Sequence, residues 1–139
     1  MKSISIAGTQ APAIIQGCMR IDAMSVNELE ELIHQDLKLG INFFDHADIY
    51  GKGVCEELFG KVLKAQPSLR KDMLIQSKCG IHRSETTHYD FSRDYILHCV
   101  DASLERLQCG YLDYLLLHRP DALMDPLEVA QAFDALYTS

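Results

Sequence analysis

Residues 25–45 read SVNELEELIHQDLKLGINFFD. Val26, Leu29, Leu32, Ile33 and Leu37 recur at helical spacing, which predicts one apolar stripe turned toward a core. Ser25 followed by Glu28 has the spacing of a capping box, in which each side chain satisfies a backbone N–H that the first turn leaves open. Gly40 suits the position just past the last turn, where the backbone goes left-handed. Residues 41–45 then read as a short buried strand that ends on Asp45. A helix closed by glycine and followed at once by a buried strand is one link of an α/β chain.

The same link recurs on both sides. Residues 2 to 8 suggest a small hairpin, and AIIQGCM (13–19) is a candidate first strand. CEELFGKVLKA (55–65) reads as a second helix, with Val54, Leu58, Phe59, Val62 and Leu63 on one stripe. MLIQSK (73–78) is the third strand. The third helix spans residues 92–110, with Ser92 as N-cap, Ile96, Val100, Leu104 and Leu107 on its apolar face, and Gly110 after it. LDYLLLH (112–118) is the fourth strand. The last helix opens with Asp125 as N-cap, Pro126 at its first position and Glu128 two residues on. Strand–helix alternation four times over implies a parallel sheet with right-handed crossovers and a helical cover. Strands that run apolar agree with burial on both faces. An open doubly wound sheet and part of a (β/α)₈ barrel both satisfy this order.

A chain of 139 residues, 47% of them hydrophobic, falls in the range of one ordered domain. The formal net charge of −7 argues against nucleic acid or an anionic membrane as partner. No run approaches the roughly 18 apolar residues of a membrane span. The first ten residues, MKSISIAGTQ, lack the continuous apolar segment of a secretory signal. The five cysteines include no CxxC pair and read as reduced, mostly buried thiols. The expectation is a soluble cytoplasmic protein.

In either architecture ligands bind at the carboxyl ends of the strands. There the second strand ends in Asp45, the third in Lys78 and the fourth in His118, and Tyr50 follows Asp45 in its loop. Each has a plainer reading alone: a capping aspartate, a lysine reaching solvent, a satisfied histidine, a packing tyrosine. Together on neighbouring strands they form a constellation. A free tyrosine titrates near about 10 and is a weak acid at neutral pH. A lysine ammonium beside it favours the phenolate, and an aspartate keeps that lysine charged. A histidine then hydrogen-bonds the oxygen that receives the proton. Such a site suits a carbonyl becoming an alcohol, with hydride from a cofactor.

Other chemistries are weaker. DHAD and HRPD put His and Asp at strand ends, where barrel hydrolases hold divalent ions, and His82 and His88 would add ligands, yet no HxH or HExxH pattern is present. GKGVCE has two of the three glycines of a dinucleotide fingerprint. Cys79 lies beside Lys78, which would activate a thiol, but a packing cysteine is the simpler reading. A non-catalytic interaction module is the remaining alternative.

FFDHADIYG, SKCG and DYLLLHRPD closely resemble the aldo-keto reductases, NAD(P)H-dependent carbonyl reductases on a (β/α)₈ barrel. GINFFDHADIYG followed by CEELFG is similar to that family's first diagnostic motif, and APAIIQGCMRI to its first strand and loop. The resemblance implies Tyr50 as general acid, Lys78 tuning it, Asp45 holding Lys78, and His118 orienting the substrate carbonyl. It also implies that the loop backbone of Gly17, Cys18, Met19 and Arg20, with Asp45 beside it, lies near a bound nicotinamide. NADP(H) is the implied cofactor, with NAD(H) as the alternative, and a small carbonyl compound is the implied substrate. Asp48 has no place in this tetrad and reads as a hydrogen-bond acceptor ordering the loop. A whole barrel takes about 250 residues, so the expected fold is an incomplete (β/α)₈ barrel of about four units, one partial domain over residues 1–139. The family's later Ser-Asn motif is absent from this sequence, as are the loops after strands seven and eight that hold the cofactor phosphates. The expectations are therefore weak or no activity from this chain alone, and two open sheet edges that pair with a second copy or with a C-terminal half.

Overall fold

The computed structural model describes residues 1–83 and 86–139. The chain opens on an antiparallel hairpin of β1 (Ser3–Ile6) and β2 (Thr9–Pro12). Its two turn residues, Ala7 and Gly8, both have positive φ, 48° and 84°, the sign pattern that matches a tight turn to strand twist. The hairpin thus reaches Pro12 rather than stopping at residue 8, because the TQAP segment is its return strand. After β3 (Gln16–Gly17), strands and helices alternate: α1 (Val26–Leu39), β4 (Phe43–Asp45), α2 (Val54–Ala65), β5 (Leu74–Cys79). A short antiparallel pair, β6 (Ile81–His82) and β7 (His88–Tyr89), interrupts the alternation before α3 (Arg93–Leu107), β8 (Tyr114–Leu117) and α4 (Pro126–Thr138).

The main sheet is entirely parallel, in the order β3-β4-β5-β8. Each new strand joins the side of the one before it, without the order reversal of a doubly wound sheet. Successive helices α1, α2, α3 and α4 also pack each on the next, as one layer. A single helical layer outside a sheet that advances in one direction is barrel wall. The fold is therefore a partial (β/α)₈ barrel, and the open-sheet alternative falls.

Alternation along the strands fixes the two faces. Phe44 and Ile75 point outward and join Leu29, Ile33, Phe59, Val62 and Leu63 in a buried cluster beneath α1 and α2. Cys79, Leu115 and Leu117 pack outward with Ile96, Cys99 and Ala132 beneath α3 and α4. Phe43 and Tyr114 point inward, their rings stacked 5.3 Å apart, and the Tyr114 hydroxyl donates to Ile6 O at 3.0 Å. The hairpin is thereby fastened beneath the sheet as a floor, at the end away from Asp45. Gly60 on α2 lets α3 come close, since a Cβ there would meet Arg106 O at 2.0 Å.

Ser25 and Glu28 form the reciprocal capping box, and Gly40 closes α1 at φ 79°. Four local expectations change. The first strand shortens to Gln16–Gly17, with Ile14 and Ile15 exposed, because β3 has only β4 to pair with. Val54 is exposed and narrows the α2 stripe. Around α3, Ser92 makes no side-chain cap, and Glu128 of α4 instead accepts from Arg93 N at 2.9 Å. The left-handed closing residue of α3 is Gln108, at φ 52°, rather than Gly110.

Candidate active site

On β4 the pleat that buries Phe44 outward turns Asp45 inward; on β5 the pleat that buries Ile75, Ser77 and Cys79 outward turns Gln76 and Lys78 inward. The parallel register sets Asp45 directly beside Gln76, so Lys78 lies one pleat beyond, toward the strand ends. Lys78 Nζ donates to the Asp45 carboxylate at 2.8 Å, to His46 O at 2.7 Å and to the Tyr50 hydroxyl at 3.0 Å. The ammonium uses its three protons on three acceptors. Gln76 Nε2 donates to the same Asp45 carboxylate. Both members of the ion pair are largely covered, with side-chain exposures of 13% for Lys78 and 22% for Asp45.

His118 follows β8, and its N–H donates to Cys79 O at 2.8 Å. Its ring stands edge-on to Tyr50, with centroids 5.9 Å apart. Nδ1 of His118 is buried without a partner among the described residues. Burial holds its pKa below the ordinary imidazole range, and Lys78, Arg119 and Arg83 add to the effect. The imidazole is therefore a neutral group at physiological pH. Asp45, Tyr50, Lys78 and His118 thus share one mouth at the carboxyl ends of three adjacent strands.

The loop after β3 borders this mouth, since Cys18 N donates to Asp45 O at 2.9 Å. Gly17, Met19 and Arg20 are exposed, whereas the Cys18 side chain is in the core and offers a ligand only its backbone. Asp48 stands outside these contacts, and its carboxylate interacts with Ile49 N and Cys99 instead. Its N–H donates to Lys78 O at 3.1 Å, but its Oδ1 is buried and accepts from nothing among the described residues. Burial, reinforced by Glu56, pushes its pKa up to about 6.

Sequence reasoning passed over two supports. Gln76 is two residues before Lys78, the spacing that puts both on one face of a strand. Glu56, fully buried, accepts from Ser77 Oγ at 2.6 Å and from Arg106 Nε at 2.8 Å, so α2 clamps the residue preceding Lys78. Only tertiary contact reveals that clamp.

The rival site residues lie elsewhere. The His46 ring is buried against Phe59, edge-on at 4.6 Å. His82 and His88 stack on each other across β6 and β7 at 4.6 Å. Among the described residues no three His, Cys, Asp or Glu side chains gather as a metal site would require. Cys79 faces away from Lys78, and hydrogen bonding to Cys99 together with burial pushes its pKa far up, so Lys78 does not activate it. No helix among the described residues is long and apolar enough to cross a membrane.

Comparison with known proteins agrees with this fold. The sequence profile of the aldo/keto reductase family matches residues 13–139. An uncharacterized oxidoreductase of Bacillus subtilis, YcsN, is 42% identical, over 100% of this chain and 50% of its own length. The oxidoreductase YdhF of Escherichia coli is 48% identical, over 84% of this chain and 41% of its own. The holo form of aldo-keto reductase AKR11C1 from Bacillus halodurans superposes with a TM-score of 0.82 at 30% identity, over 99% of this chain and 47% of that structure. The chain spans about half the length of the curated relatives it matches. With the profile covering all but its first twelve residues, this chain belongs to the aldo/keto reductase family.

Proposed function

We propose that this chain carries the proton-transfer half of an NAD(P)H-dependent carbonyl reductase. The observation behind the reading is the position of Lys78 Nζ, within hydrogen-bond reach of both the Asp45 carboxylate and the Tyr50 hydroxyl. Tyr50 gives its proton to the carbonyl oxygen as that oxygen gains charge. The ammonium 3.0 Å away stabilises the negative charge left on the phenol oxygen. Asp45 and His46 O keep Lys78 aimed and charged. His118, neutral, orients the carbonyl oxygen toward Tyr50.

A nicotinamide suits the mouth beside these groups, because the loop carrying exposed Gly17, Met19 and Arg20 is fastened next to Asp45 through Cys18 N. When bound it supplies the hydride. Gly17, Cys18, Met19 and Arg20 would hold it through their backbone. NADP(H) is the proposed form, with NAD(H) as the alternative, and the substrate is a small aldehyde or ketone. The groups that grip the cofactor phosphates are not among these strands, so reduction by this chain alone is expected to be weak.

The test is Tyr50→Phe, read by NADPH fluorescence titration alongside aldehyde-dependent NADPH oxidation. Removing a general acid costs about 10²–10⁴ in rate, so turnover should fall at least that far while binding is retained. Loss of binding instead would mean that the tyrosine seats the cofactor. A folded wild-type chain that binds no NADPH would favour the non-catalytic module.

A further inference from the structure

The loop after β4, the β6–β7 pair, the near side of α3 and Arg119 after β8 border a cleft of about 970 Å³. Ile49 and Arg119 line it, and they are the chain neighbours of Tyr50 and His118, whose own side chains do not border it. Lys52, Arg83 and Arg119 border it and are exposed. None of the three side chains has a hydrogen-bond or ion-pair partner among the described residues. Arg106 also lines the cleft, but Glu56 already takes its charge. His82 adds a buried Nδ1, and Asp48 a buried Oδ1, each without a partner among the described residues.

A merely solvated face would mix the two signs. This chain holds 20 acidic residues against 13 Lys and Arg, yet here three unpaired cations converge on one concavity. Low-dielectric walls focus the field of such charges and raise the local concentration of anions. Guanidinium and ammonium groups match phosphate and carboxylate oxygens in geometry and charge. Asp48, which takes up a proton readily at its raised pKa, can then donate to an oxyanion rather than repel it.

We propose that the cleft bounded by Lys52, Arg83 and Arg119 binds a small oxyanion, a phosphate or a carboxylate. The assignment concerns binding and stands apart from hydride transfer. The test is a titration of the isotope-labelled chain with sodium phosphate, then with sodium acetate, at constant ionic strength, following amide shifts by NMR. Saturable shifts clustered at residues 81–83, 98–102 and 119 are expected. Arg119→Gln and Lys52→Gln, both at exposed positions, should each weaken binding by roughly tenfold, while Lys61→Gln on the far side of α2 should not. Saturation by both anions supports a general oxyanion site, and saturation by phosphate alone supports a phosphoryl site. Shifts that stay linear, or that persist unchanged in both cleft variants, would overturn the proposal.

Discussion

His46 lies between the two acids of DHAD, yet its ring is fully buried against Phe59 with both nitrogens unpaired among the described residues. Burial, aided by Lys78, holds its pKa down to about 3 from the ordinary 6.5. In the unfolded chain His46 takes a proton below pH 6.5, while in the folded chain it resists until about 3. Its contribution to stability is therefore complete above 6.5 and is lost progressively as pH falls toward 3. Asp48 works in the opposite sense, since its pKa rises from 3.8 to about 6 and it favours the folded chain as pH falls through that window. The displacement of His46 is the larger and its burial the more complete, so acid should destabilise the protein, by an amount on the order of 4 kcal/mol for His46 alone. His46→Leu fills similar space and loses no hydrogen bond. It should flatten the stability-versus-pH curve between 6.5 and 3 in urea melts. An unchanged acid slope would put the sensitivity elsewhere.

At the scale of elements, the close crossing of α2 and α3 depends on the missing side chain of Gly60. A Cβ there would fall 2.0 Å from Arg106 O, and a backbone carbonyl in a helix cannot swing aside. Gly60→Ala should gain the usual helix propensity of alanine, near 1 kcal/mol, and lose more to overpacking, commonly about 1–3 kcal/mol. The net expectation is a lower melting temperature, with the Glu56–Arg106 contact strained, measured by circular dichroism; a rise would mean that the helices separate freely. The sequence disclosed most of these elements because capping and periodicity are local. Ser25, Glu28 and Gly40 specify α1 without help from the rest of the fold. Asp45, Lys78 and His118 were legible for the same reason: each ends an apolar run. The cap of α3 by Glu128, the crossing at Gly60 and the clamp of Glu56 on Ser77 were not, because each partner is more than twenty residues away. Whether sheet or barrel came from strand order, which periodicity does not carry.

For the whole molecule the decisive feature is the sheet's inner face. The hairpin covers its floor through Tyr114 and Ile6, but toward the mouth Leu116 stays 42% exposed. Strands β3 and β8 each pair on one side only among the described residues. Open edges offer unpaired N–H and C=O groups to any strand of matching register, and an apolar face beside them adds a driving force of roughly 25 cal/mol per Å² covered. We predict that the isolated chain self-associates through the β8 side in a concentration-dependent way. Leu116→Lys keeps the side chain on the exposed inner face, so the strand's outer packing through Leu115 and Leu117 is untouched. A charge there resists both edge pairing and desolvation of the face. Light scattering after size exclusion should show a mass above the monomer for the wild type and a shift toward the monomer for Leu116→Lys. A wild-type chain that remains monomeric across a hundredfold range of concentration would show that the inner face and the β8 edge are tolerated in water as they stand.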